Sequence, residues 1–310
     1  MNDDGNFIPP YPLTTAVLFL VFKRLDTTKN VFEFIRKAKP PRLYIAADGP
    51  RERVEGEAEK VQAVRDYLMR NIDWNCEVKT LFRDKNLGCG RAVSEAITWF
   101  FEHEEMGIIL EDDTVPSLSF FWFCEELLKR YKDENRVFHI AGYSLQSGLF
   151  HESYRFSRLV PIWGWATWRR AWKFYDFEML NFNSITEADY EYFGDYKKDV
   201  MNTFYYQYKS RIDTWDIQWA FTCVFNRALT IIPRVSLVKN IGFGKESTHT
   251  KKVDKYNSLV KNQEVEFPLI HPKSLEPDRE LDLDYLRMFY HKSMLQKIKH
   301  SIKSLFYKGV

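Results

Sequence analysis

Ala16-Val17-Leu18-Phe19-Leu20-Val21-Phe22 is an unbroken apolar run. A strand with one wet face alternates apolar and polar residues, so this run predicts a strand covered on both faces by helices, as in a parallel sheet. The pattern continues outward from it. Thr27 or Thr28 can cap a helix over 30–38, whose Val31, Phe34, Ile35 and Ala38 share one face, and Pro40-Pro41 ends it. Strands are predicted over 42–47, 76–82 and 107–110, separated by helices over 58–71 and 91–104. This β-α-β-α-β-α-β order requires right-handed crossovers and builds an open, mainly parallel sheet flanked by helices.

Ligands of such sheets bind at the carboxyl ends of the strands. The residues placed there are Lys23, Arg24 and Asp26 after the first strand, Asp48 after the second, 83–91 after the third and Glu111-Asp112-Asp113 after the fourth. Charged groups on four strand ends are more than a structural sheet requires.

Composition sets the outer bounds. The 310 residues carry 45 Lys+Arg against 43 Asp+Glu, a net charge of +2, which leaves no basic footprint for wrapping nucleic acid. With 45% hydrophobic and 28% charged residues, the chain is neither disordered nor low in complexity. Cys76, Cys89, Cys124 and Cys223 form no CxxC pair. The opening Met1-Asn2-Asp3-Asp4 lacks the basic start of a signal peptide, and no apolar run approaches the roughly 20 residues that span a bilayer, so a cytoplasmic protein is expected.

Beyond residue 110 a helix is predicted over 119–132 and a strand over 137–142. Six of the nine tryptophans fall between Trp163 and Trp219, suggesting a stacking surface. Trp165, Trp168 and Trp172 recur at helical spacing, mostly as core, with Trp163 and Trp165, either side of Gly164, kept as candidate ligand contacts. Residues 183–209 read as helical and polar.

Three constellations can carry chemistry. Glu111-Asp112-Asp113 brings three carboxylates together, and a divalent cation relieves their repulsion; such hard oxygens suit Mn²⁺ or Mg²⁺ when phosphate completes the shell. The alternative is an acidic helix start. Gly88-Cys89-Gly90 is not a dinucleotide fingerprint, because Val93 stands where the third glycine belongs, but a helix start with Arg91 in its first turn attracts phosphate. In Asp213-Thr214-Trp215-Asp216-Ile217-Gln218-Trp219, aromatic neighbours strip water from a carboxylate, so Asp216 is a candidate general base, while Trp215 and Trp219 read as core of one helix.

Taken together, Phe22-Lys23-Arg24, Ala47-Asp48-Gly49, Asn86-Leu87-Gly88, Leu110-Glu111-Asp112-Asp113, Trp163-Gly164-Trp165, Trp215-Asp216 and Gly244-Lys245-Glu246-Ser247-Thr248-His249 resemble the nucleotide-sugar glycosyltransferases of GT-A fold, in particular a bacterial group related to N-acetylglucosaminyltransferase I. The resemblance implies a Rossmann-like GT-A core with a smaller acceptor-side lobe. Arg24 and Asp48 would hold the nucleobase and ribose of a UDP-sugar, and Asp113 would ligate the metal, with Glu111 and Asp112 on the donor. Asp216 would be the base of an inverting transfer. Asn86, Arg91 and Trp165 would complete the donor contacts, with Ser247 and His249 in a loop closing over the diphosphate. Asp216-Ile217 departs from the eukaryotic relatives, which carry two acids there.

The implied organisation is a nucleotide-sugar-binding core over 12–182, an acceptor-side region over 183–275 and a basic helical tail over 276–310. From His291 onward there are five lysines and no acid, with Leu295, Ile298, Ile302 and Leu305 on one helical face, so the tail either packs on the domain or lies on an anionic membrane. The acceptor would be a glycan or lipid-linked glycan. Alternatives are a metal-dependent phosphohydrolase or nucleotidyltransferase, or a non-catalytic sugar-nucleotide-binding module.

Overall fold

The apolar run becomes β1 (Val17–Val21), every residue of it buried. In this computed structural model the described residues are 7–145, 148–243 and 260–290. Next comes α1 (Leu25–Ala38), which starts ahead of the predicted residue 30. Thr27 and Thr28 do not cap it from outside; their hydroxyls donate back to the Arg24 carbonyl from within the first turn, at 3.1 and 2.7 Å. Then follow β2 (Arg42–Ala47), α2 (Glu57–Asn71), β3 (Glu77–Phe82), α3 (Gly88–His103) and β4 (Met106–Glu111), in the predicted order. The chain continues through β5 (Thr114–Pro116), α4 (Ser119–Arg130), β6 (Val137–Ala141), β7 (Tyr154–Ser157), β8 (Trp165–Trp168) and α5 (Arg169–Trp172). It ends, before a helix over 279–290, with α6 (Glu187–Tyr190), α7 (Lys197–Ser210), α8 (Asp216–Phe225), β9 (Leu229–Pro233) and β10 (Val238–Asn240).

The fold is mixed α/β. Eight strands form one sheet in the order β3-β2-β1-β4-β8-β6-β9-β7, with β8 and β7 antiparallel to the rest. Strands β3, β2, β1 and β4 are parallel neighbours, so their carboxyl ends share one edge. Val17, Phe19 and Val21 pack with α1, α2 and α4 on one face; Leu18 and Leu20 pack with α3, α5 and α8 on the other. That two-sided burial is why β1 shows no alternation.

The tryptophan stripe differs from its predicted helical reading. Trp165 and Trp168 lie on a strand, where a spacing of three points side chains to opposite faces, and they belong to separate cores on the two sides of the sheet. Trp165 is 1% exposed and stacks on Trp215 and His139, so it is a packing residue and not a ligand contact. Gly164, at φ 60°, approaches Val238 rather than a ligand.

A third apolar cluster gathers Phe182, Phe193, Phe204, Phe221 and Val224 with Leu286 from the helix over 279–290. That helix is pinned by Asp282. The carboxylate accepts hydrogen bonds from Arg155 Nη1 (2.7 Å), Ser157 Oγ (2.7 Å), the Arg158 amide (2.8 Å) and Tyr192 Oη (2.9 Å). The basic segment over 291–310 lies outside the described residues. Among the described residues no helix is long and apolar enough to cross a membrane.

Candidate functional site

Because β1, β2 and β4 run parallel, Lys23-Arg24, Asp48 and Glu111-Asp112-Asp113 emerge side by side. All of them but Asp113 border a cavity of about 530 Å³, also lined by Asn86, Arg51, Arg83 and Asp213. This size suits a small-molecule ligand.

Arg24 does not point freely into the cavity. Its Nη2 lies 2.7 Å from Asp113 Oδ2 and also bonds Asp112 Oδ1, while Nε reaches Asp112 Oδ2 at 3.4 Å. Asp112 is buried, and burial pushes its carboxyl above the ordinary range against the pull of Arg24. Burial also works against the Arg24 charge, but the two aspartates outweigh it and hold the guanidinium above its usual value. Glu111 makes no hydrogen bond or ion pair through its carboxyl among the described residues. Burial, then Asp113, Asp112 and Asp216, push that carboxyl well up. Asp216, the first residue of α8, thus acts electrostatically on Glu111 from a different element. Its Oδ1 is held by the Thr214 hydroxyl and, at 2.9 Å, by the Ile217 amide.

Asp48 fastens the loop before α3 to the end of β2. It accepts from the Leu87 amide (3.0 Å), the Gly88 amide (3.2 Å) and Asn86 Nδ2 (2.9 Å), and the Asn86 amide group also donates to the Gly49 carbonyl at 2.8 Å. Burial raises the Asp48 carboxyl against these backbone donors.

The start of α3 was expected to attract phosphate, but a carboxylate of the chain itself occupies it. Asp213 accepts from the Cys89 amide at 2.9 Å and the Gly90 amide at 2.7 Å. Gly88 has φ +83°, and a Cβ there would come within 2.6 Å of Asp213 Oδ2. Arg91 turns away from the cavity to Glu178, 3.2 Å distant, and to the Phe177 ring. Sequence reasoning missed Asp213 in this role, and it missed Glu57. Glu57 pairs with Lys23 (2.7 Å) and Arg51 (2.5 Å) at the cavity wall. Arg51, against burial and then with Lys23, lowers the Glu57 carboxyl to about 2.

On the far side of Asp113 the chain closes in: the Ile241 amide donates to the Asp113 carbonyl at 2.8 Å, and a Cβ on Gly242 would fall 1.9 Å from Asp113 Oδ2. The expected diphosphate loop begins here, and Ser247 and His249 lie outside the described residues.

Among the described residues no group of three or more His, Cys, Asp or Glu is arranged to hold a metal ion. Asp112 and Asp113 nevertheless fit a divalent cation in donor chemistry. They are hard oxygens already gathered around a positive group, the Arg24 guanidinium, and such ions are commonly held by one or two carboxylates with substrate phosphate.

No protein-family model matches the chain, and no curated protein matches it. Structural similarity is found to the mannosyltransferase PcManGT from Pyrobaculum calidifontis in complex with GDP-Man and Mn²⁺, at 11% identity over 51% of this chain and 45% of that one, TM-score 0.34. HddC from Yersinia pseudotuberculosis matches at 14% identity over 41% of this chain and 57% of its own, TM-score 0.28. A UDP-glucose pyrophosphorylase complexed with UDP-glucose matches at 10% identity over 72% of this chain and 90% of its own, TM-score 0.36. The chain spans about half the length of the first two of these structures.

Proposed function

We propose that the chain is an inverting glycosyltransferase that takes a sugar from a nucleotide-diphosphate donor, a UDP-sugar on the family resemblance, to a hydroxyl of a glycan or lipid-linked glycan. The reading rests on one observation: Glu111 and Asp112 at the end of β4 line a cavity fit for a ligand, with Asp113 next in the chain and Asp216 of α8 near enough to act electrostatically on Glu111. Gathered carboxylates of this kind suit a divalent ion that meets a phosphorylated leaving group, and a further carboxylate suits a hydroxyl nucleophile.

Asp112 and Asp113 would hold Mn²⁺ or Mg²⁺. When bound, the ion supplies charge neutralisation for a departing diphosphate. Asp48 and Asn86, fixed to each other and to the loop before α3, offer a rigid wall for the nucleoside. Asp216 accepts the proton of the acceptor hydroxyl. Its carboxylate is oriented by Thr214 and by the Ile217 amide, so the free oxygen is presented in a fixed direction. Attack from the face opposite the leaving group inverts the anomeric centre. In this reading residues 12–182 bind the donor, 183–275 face the acceptor and 276–310 form the tail.

General-base catalysis is typically worth ~10²- to 10⁴-fold, so Asp216→Asn is expected to keep donor binding and lose turnover on that scale. Ordinary turnover in that variant would remove Asp216 from the role. A second reading, metal-dependent phosphohydrolysis or nucleotidyl transfer, is favoured by Lys23, Arg51 and Arg83 lining the same cavity. Incubation of UDP-sugars with Mn²⁺, with and without a glycan acceptor, separates them. Acceptor-stimulated release of UDP supports transfer; phosphate or pyrophosphate supports the second reading.

A further inference from the structure

Arg24 stands where a cation would. Its guanidinium bridges Asp112 and Asp113 with two hydrogen bonds to the first and one to the second, and its side chain is 20% exposed. A second cavity of about 470 Å³ opens on the other side of Lys23 and Arg24, bordered by Asp26, Thr27, Gly242 and Phe243. The arginine therefore lies in a wall between two spaces, one holding the acids and one able to receive its head group. Asp26 and Lys60 both border that receiving space. Among the described residues the Glu111 carboxyl makes no hydrogen bond or ion pair, so Arg24 is the one cation in contact with this acid cluster there.

Two cations cannot share the same pair of carboxylate oxygens, since the space between Asp112 and Asp113 is filled by Nη2 and the charges repel. We propose that Arg24 is a built-in stand-in cation: it closes the acid pair when no divalent ion is bound and must leave as the ion enters. The released fork is then free to take phosphate oxygens of the nucleotide, for which a guanidinium is suited by its paired donors. This rests on the reading of Asp112 and Asp113 as cation ligands. Ion and nucleotide consequently assist one another, each paying part of the cost of moving Arg24, and the coupling is reciprocal.

The test is Mn²⁺ binding to the full chain, followed by the electron paramagnetic resonance of free Mn²⁺, with no nucleotide present. Arg24→Gln is expected to bind Mn²⁺ roughly tenfold or more tightly than the unaltered protein. Added UDP should tighten Mn²⁺ binding in the unaltered protein and do so less in the variant. Melting curves supply the second readout: Arg24→Gln should melt lower without Mn²⁺ and recover on its addition. If that variant does not fold, Arg24→Lys carries the test, because a point charge replaces the fork and should be displaced more easily, giving tighter Mn²⁺ binding than the unaltered protein. Equal Mn²⁺ affinity in variant and unaltered protein would overturn the stand-in role and leave the cation reading intact. Failure of both to bind Mn²⁺, with or without UDP, would overturn both.

Discussion

Two of the protein's contacts between a buried acid and an arginine, at Asp282 and at the end of β4, are treated differently. At Asp282 one carboxylate has four donors from Arg155, Ser157, Arg158 and Tyr192, and no cavity adjoins it among those described. At the end of β4, Asp112 and Asp113 share the single guanidinium of Arg24, Glu111 has no partner among the described residues, and a cavity opens in front of Glu111 and Asp112. The first is a finished joint between the sheet and the helix over 279–290. The second is underneutralised, and stability alone gives no reason to gather acids that repel. The ratio of carboxylates to donors, more than the burial of charge itself, separates a structural pair from a site.

The largest effect is expected where the joint is cut. Asp282→Ala takes the carboxylate away from a buried guanidinium and should cost about 3–5 kcal/mol in denaturant unfolding. A loss below about 1 kcal/mol would erase the contrast.

His139 sharpens the comparison with a buried group built to stay neutral. Its Nε2 donates to the Pro161 carbonyl at 2.8 Å, Nδ1 accepts from the Trp219 indole at 3.2 Å, and burial lowers its pKa from 6.5 to about 4. Between those values the unfolded chain binds the extra proton, so stability rises with pH. The contribution, about 3 kcal/mol, is complete above the unfolded pKa and is lost as pH falls toward the folded one. Stability measured against pH should show this slope in the unaltered protein and less of it in His139→Gln. Identical slopes would contradict it.

At the other cluster, Glu111→Gln removes one member of a repelling trio without changing its shape. Melting should show stability unchanged or raised by about 1 kcal/mol, opposite in sign to Asp282→Ala. A substantial loss would mean that Glu111 has a structural partner after all.

What could be read from the sequence follows the same division between local and distant causes. Strand β1 and its parallel neighbours were legible because two-sided burial leaves an apolar run, and the strand-end positions of Asp48 and Glu111-Asp112-Asp113 follow from the chain path. Asp213 was not legible as a cap, since its carboxylate meets Cys89 and Gly90 only through tertiary folding, over a separation of 124 residues for Cys89. The Arg24–Asp112 pairing crosses 88 residues and was hidden for the same reason. Glu57 lies just ahead of the helix expected over 58–71, and its pairing with Lys23 and Arg51, from separate strand-end loops, also forms only in the folded chain. Trp165 and Trp168 misled because a spacing of three fits one helix face and also the two faces of a strand.

The most direct test of the account is calorimetric binding of a UDP-sugar with and without Mn²⁺, to the unaltered protein and to Asp113→Asn. The account predicts Mn²⁺-dependent binding in the former and loss of that dependence, with much weaker binding, in the latter. Equally tight, Mn²⁺-dependent binding by Asp113→Asn would contradict it.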